Sequence, residues 1–167
     1  PPAKLREVIH HYGIDPAKLA LEITEGVMLQ DIDKSLAWLQ AVHALGLRIH
    51  LDDFGTGYSS LSYLKRFPID TLKIDQSFVK DMQGTGNERT LVGAILAMAS
   101  SLGLEVVAEG VELPSHRQAL RAMGCHYAQG FLFSRPVPAE QFASVAAQLA
   151  LMLEVVAAEA TVERMLG

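Results

Sequence analysis

The residues best suited to chemistry in this sequence stand at the ends of short apolar runs. Glu22 lies inside Leu21-Glu22-Ile23-Thr24-Glu25, and Asp52 with Asp53 follows His50-Leu51. Lys73 and Asp75 occupy Thr71-Leu72-Lys73-Ile74-Asp75, while Glu109 and Glu112 follow Val106-Val107-Ala108. A carboxylate inside an apolar strand is expensive to bury unless a cation or a metal ion meets it. Oxygen donors alone select hard cations such as Mg2+ or Mn2+. Two adjacent acids at a strand exit, followed by Phe54-Gly55-Thr56-Gly57, can turn toward one point and leave a glycine loop free to reorganise. The stem of Lys73 is enclosed by Leu72 and Ile74, so its ammonium can hold a water or a phosphate oxygen among carboxylates. Asp75, two residues on, shares its strand face as the expected partner.

Each feature also has a plainer reading. Glu22 can pair with an Arg or Lys at a barrel end, Asp52-Asp53 can cap a turn, and Lys73 with Asp75 can be a structural ion pair. Agreement among four strand ends favours a shared site. Other familiar chemistries lack their motifs: Gly55-Thr56-Gly57-Tyr58-Ser59 is not a G-x-S-x-G elbow, and there is no Walker A, H-E-x-x-H or C-x-x-C pattern. The histidines lack metal-ligand spacing, the single G-x-G at 84–86 is too weak for a phosphate loop, and Cys125 reads as inert packing.

The elements that must position these residues alternate. Strands are expected over Leu19–Ile23, Leu47–Leu51, Thr71–Ile74, Leu104–Ala108 and Tyr127–Leu132. Helical spacing marks Asp33–Leu45, Glu88–Leu102 and a segment opened by Leu113-Pro114-Ser115 and running to Met123. Such alternation implies right-handed βα units on a parallel sheet. Strand starts 28, 24, 33 and 23 residues apart lie near the ~31 per unit of an eight-stranded (β/α) barrel. An open doubly wound sheet has similar spacing but concentrates its site at one switch point, whereas polar residues here close nearly every strand, Gln129 included. The α/β reading is therefore a TIM-type barrel, incomplete here at about five βα units.

With 167 residues, one domain fits. Half the residues are hydrophobic and 20% are charged, which supports a packed core and excludes wholesale disorder. A formal net charge of −5 argues against a broad basic face for DNA or RNA. One cysteine excludes an internal disulfide, and no membrane span or signal is visible, so a cytoplasmic setting is expected, with a parent that can be membrane-tethered. Residues 1–142 are expected to form the domain and 143–167 an apolar, Ala-rich helix. The Pro1-Pro2 start reads as a truncation point, and unpaired sheet edges together with the Phe142–Leu166 helix predict a homodimer or higher self-association.

Taken together, these segments resemble the EAL domain of bacterial cyclic di-GMP phosphodiesterases. The resemblance rests on Leu21–Glu25, Leu51–Ser60, Leu72–Asp75, Ala108–Glu112 and Gln129-Gly130-Phe131, in the family's order and spacing over about residues 3–145. It implies two-metal hydrolysis of cyclic di-GMP to linear pGpG. By position, Glu22 and Asp52 look like ligands of the first metal, with Asp52 bridging to the second, and Asp53 looks like a ligand of the second. Glu109 looks like a ligand or water orienter, Lys73 like the residue that positions and activates the water, and Glu25 like the one that steadies the Phe54–Gly57 loop. Gln129, with Asp75 and Glu112, is carried over as a ligand contact. The family's namesake Glu-Ala-Leu segment and a metal-binding Asn would precede residue 1. A non-catalytic cyclic di-GMP receptor or interaction scaffold is the alternative reading.

Overall fold

A computed structural model describes residues 1–55, 64–83 and 87–151. The expectations placed on Thr56, Gly57 and residues 152–167 fall outside them. Five strands form one parallel sheet in chain order: β1 (Ala20–Thr24), β2 (Arg48–Phe54), β3 (Thr71–Ile74), β4 (Glu105–Ala108) and β5 (Tyr127–Ala128). Each parallel pairing requires a crossover, and among the described residues helices lie in three of the four connections, those of β1–β2, β3–β4 and β4–β5. The helices are α2 (Glu25–Gln30), α3 (Ile32–His43), α4 (Gln76–Lys80), α5 (Glu88–Leu102) and α6 (Pro114–Ala122), with α1 (Pro2–Tyr12) ahead of the sheet. A further helix, α7, occupies 139–151 and runs through the boundary expected at 142–143. No helix among the described residues is long and apolar enough to cross a membrane.

Alternation along the strands sorts side chains onto two faces. Ile49 and Leu51 of β2, Leu72 and Ile74 of β3, and Val106 and Ala108 of β4 are fully buried. They form one core with Leu39 and Val42 of α3 and Val92 and Ala99 of α5, and each large aliphatic side chain so buried contributes roughly 1.5–3 kcal/mol. The helices stop where the sequence provides stops: α5 ends at Gly103, whose left-handed φ of 71° lets its N–H return to Ala99 and Ser100 carbonyls.

The opposite face is polar. At the N-terminal end of the strands Arg48 donates to Thr71 Oγ1 at 3.2 Å and to Glu105, and Tyr127 donates to Glu105 Oε1 at 3.2 Å. His50 lies two residues further along β2 on the same face, with Nε2 buried and without a partner among the described residues; burial first, and the Arg48 charge second, push its pKa down. Among the described residues the sheet ends at β1 and β5 and is not closed. β5 is shorter than the expected Tyr127–Leu132. A Cβ on Gly130 would stand 2.2 Å from Val111 O, and Leu132 N donates to that same oxygen at 3.0 Å, so the chain turns across the end of β4 instead of extending the ladder.

Candidate active site

Register explains how separated acids meet. Glu22 lies beside His50, and Thr24 beside Asp52, in the β1–β2 pairing, while Lys73 lies beside Val107 in β3–β4. Asp52 and Asp53 sit where β2 slips against β3: Leu51 faces Leu72 but Phe54 faces Ile74, which inserts one extra residue on β2. Such a bulge re-aims side chains at a strand end. Asp53 takes a left-handed φ of 55°, the one described non-glycine residue with positive φ, and its N–H donates to Asp52 Oδ1 at 3.0 Å. Gly55 follows at φ 98°; a Cβ there would meet the Phe78 ring at 2.8 Å, so glycine is required on both counts.

Lys73 is the centre of the cluster. Its side chain is 7% exposed, and Nζ lies 2.8 Å from Glu109 Oε1, 3.0 Å from Glu22 Oε1 and 3.2 Å from Asp52 Oδ1. Burial works against its charge, but the hydrogen bonds it donates to Glu109, Glu22 and Asp52 outweigh that and the pKa moves up. The side chain is therefore an ammonium that donates, not an amine that accepts a proton. Glu22, Asp52, Lys73 and Glu109 come from four consecutive strands or their exits and are brought together as expected.

The expected Lys73–Asp75 pair is not what forms. Asp75 lies one residue beyond β3, where strand alternation no longer holds, and its Oδ1 caps α4 by accepting from Ser77 N at 2.9 Å and from Ser77 Oγ. The Ser77 hydrogen bonds hold its carboxyl below the usual range. Glu25 begins α2, is 3% exposed, and has neither carboxylate oxygen partnered among the described residues. Glu112 meets Lys80 at 3.4 Å, and Lys80 also donates to Gln76 Oε1 at 3.0 Å.

The strand exits interlock as backbone. Glu109 N donates to Ile74 O, Gln129 N to Ala108 O and Val111 N to Gln129 O. A Cβ on Gly110, whose φ is 67°, would stand 2.4 Å from Gln76 Cβ. Beside this rim opens a cleft of about 250 Å3 bordered by Glu109, Glu112, Gln129, Lys80 and Phe131. A larger hollow of about 720 Å3 along Arg6, His10 and Tyr12 of α1 holds none of the strand-end carboxylates, so size does not mark the site. Among the described residues no three His, Cys, Asp or Glu side chains stand ready as a metal cage; the ammonium occupies the point on which three carboxylates converge. Cys125 is kept as a thiol by burial. The Arg48–Glu105–Tyr127 cluster carries no motif, although the period of two in Arg48, His50 and Asp52 places those three on one face.

The family model for the EAL domain matches residues 2–136. The chain belongs to the EAL domain family. It is 45% identical over 143 residues to the bifunctional diguanylate cyclase/cyclic di-GMP phosphodiesterase MucR of Pseudomonas aeruginosa, covering 85% of this chain and 21% of that protein. It is 46% identical over 138 residues to the signaling protein YkoW of Bacillus subtilis, covering 83% of this chain and 17% of the relative. The solved structure of the MucR phosphodiesterase in complex with c-di-GMP superposes with a TM-score of 0.81 at 43% identity, over 84% of this chain and 57% of that one. A manganese/cy-diGMP complex of Klebsiella pneumoniae BlrP1 superposes with a TM-score of 0.75 at 36% identity, over 80% and 34%. The chain thus spans about a fifth of the length of these curated relatives. Its EAL neighbours are TIM-like barrels; the described strands form an open five-stranded part of that α/β architecture.

Proposed function

We propose that this chain carries the hydrolytic centre of a phosphodiesterase that opens cyclic di-GMP to linear pGpG. The observation that carries the reading is the Lys73 ammonium held by Glu22, Asp52 and Glu109 at 2.8–3.2 Å. Three acids and one lysine leave a local excess of negative charge, and the donors are all oxygen, which suits Mg2+ or Mn2+. One point already accepts a cation, so the residues fit divalent ions in kind; Glu22, Asp52, Asp53 and Glu109 would hold them. When bound, such ions supply Lewis acidity to the scissile phosphate and lower the pKa of the attacking water.

The chain's own groups then have distinct tasks. Lys73, as an ammonium, donates to the water or to a phosphate oxygen and stabilises charge that develops there. Glu109 orients the water through its carboxylate, at the mouth of the cleft that Gln129 and Glu112 border. Asp75, spent on capping α4, serves substrate binding only through that helix. Glu25, buried and unpartnered among the described residues, is the group to steady the segment that follows Phe54 and Gly55.

The second reading, a cyclic di-GMP receptor that does not cut, is favoured by one observation: the carboxylates are engaged by Lys73 and form no ready metal cage among the described residues. Chromatography of cyclic di-GMP incubated with the whole protein and Mn2+ separates the two. Linear pGpG, abolished by a chelator and by Lys73→Ala, supports the enzyme. Intact dinucleotide with binding by calorimetry supports the receptor, and no binding supports a scaffold.

A further inference from the structure

The segment that leaves β4, Glu109-Gly110-Val111-Glu112, is tied down at each residue, and three of the four ties go to the unit that carries Lys73. Glu109 N donates to Ile74 O at 3.1 Å, and Val111 N donates to Gln129 O at 3.0 Å. Gly110 lies so close to α4 that an added Cβ would meet Gln76 Cβ at 2.4 Å. Glu112 Oε1 lies 3.4 Å from Lys80 Nζ, at the other end of that helix. Lys80 also donates to Gln76 Oε1 at 3.0 Å, so one ammonium serves both the side chain that Gly110 packs against and the Glu112 carboxylate. Three rotatable donors on a flexible stem suit it to hold two acceptors at once. The helix is itself fixed to the end of β3, because Asp75 caps it through Ser77 N.

We infer that Lys80 is a positioning residue for the water-orienting carboxylate: by holding Glu112 and Gln76 it clamps the β4 exit against α4 and keeps Glu109 at Lys73. The inference rests on the phosphodiesterase reading above, in which Glu109 orients the attacking water. Lys80 meets Glu112 and not Glu109 among the described ion pairs, so it acts through the segment and not on the reacting atoms. A segment fixed only at its Glu109 end swings about that end, and the Glu109 carboxylate, 2.8 Å from Lys73 Nζ, swings with it. A second tie at residue 112 narrows those directions, and orientation matters because a misplacement of about 1 Å can cost up to ~100-fold in rate. The Lys80–Glu112 pair is 45% and 41% exposed, so water screens it. Its effect is therefore that of an exposed pair, about fivefold at most.

The test uses the whole protein and reads the clamp and the chemistry separately. Hydrogen exchange of the Glu109 and Val111 amides in metal-free protein follows opening of the segment, and steady-state hydrolysis of cyclic di-GMP in Mn2+ follows turnover. Lys80→Met keeps the stem and removes the charge. Both amides then exchange roughly threefold to fivefold faster, and kcat falls by a similar factor, while KM stays within about twofold because the loss falls on the chemical step. Lys80→Arg, which still reaches both acceptors, restores exchange and kcat together. Unchanged exchange in Lys80→Met means that the clamp does not exist and overturns the inference. Faster exchange at unchanged kcat, in an active protein, means that Glu109 does not depend on the clamp, and a rise in KM at constant kcat moves Lys80 onto the ligand; either result overturns it as well. Absence of wild-type turnover overturns the phosphodiesterase reading and the catalytic half of the inference with it, while exchange still decides the clamp.

Discussion

Replacing Lys73 by methionine keeps the stem's volume and removes the one charge that holds Glu22, Asp52 and Glu109 together. Breaking a buried ionic cluster by deleting one partner costs about 3–5 kcal/mol, since the partners are left as uncompensated charges. Here Lys73 is enclosed and Glu109 and Asp52 are 20% and 23% exposed, but Glu22 is 52% exposed and water screens it. The lower end, about 3 kcal/mol, is therefore expected. For a domain of this size that is a fall of roughly 6–12 °C in Tm, at about 2–4 °C per kcal/mol. Thermal unfolding in a chelator reads it directly. Repeating the scan with Mn2+ adds a sharper sign: the variant gains more than the wild type, since the freed carboxylates now pair with the ion. A loss below about 1 kcal/mol, the range of an exposed pair, together with an equal metal response, refutes the cluster as an energetic unit.

Four further outcomes follow from the same structure. Gly130→Ala drives a Cβ into the Val111 backbone, and Gly110→Ala drives one into Gln76; both lower Tm and activity, since backbone cannot yield as a side-chain tip can, and unchanged values for both reject the interlocked rim. Glu25→Gln keeps the size of a side chain whose carboxylate has no partner among the described residues; if it steadies the segment after Gly55, turnover falls while the thermal unfolding midpoint holds, and unchanged turnover rejects that role. Arg48, and then Tyr127, hold the Glu105 carboxyl below its ordinary value near 4.5 against the effect of burial. That contribution is present above the unfolded value and lost as pH falls through the lower folded one, so Glu105→Gln flattens the acid limb of a Tm-against-pH curve, and an unaltered limb contradicts it. The open edges at β1 and β5 lead us to expect self-association, and a clean monomer in sedimentation at micromolar concentration removes that expectation.

Much of the site was legible because strand exits announce themselves. Glu22, Asp52, Lys73 and Glu109 each interrupt or end an apolar run, and a parallel sheet in chain order gathers those ends without further information. The β-alternation rule failed where the strand did. Asp75 shares parity with Lys73, but β3 stops at Ile74 and the carboxylate turns to cap α4. The excess length given to β5 has a similar cause, since Phe131 and Leu132 read as strand by composition while Gly130 permits the close approach that ends it. Arg48, Glu105 and Tyr127 carried no motif. Charges at strand starts look like solvated ends, and only the pairing register puts the three on one face, as diagonal neighbours within hydrogen-bond reach.

Metal-dependent turnover of cyclic di-GMP by the whole protein, compared with Asp52→Asn across a Mn2+ series, tests the central claim most directly. Asp52 touches Lys73 and opens the bulge, and the substitution preserves its size. The account predicts linear pGpG from the wild type only when the divalent ion is present, and a loss of roughly 100-fold or more in kcat for the variant. Equal rates for the two proteins, or cyclic di-GMP that stays bound and uncut at every metal concentration, contradict it.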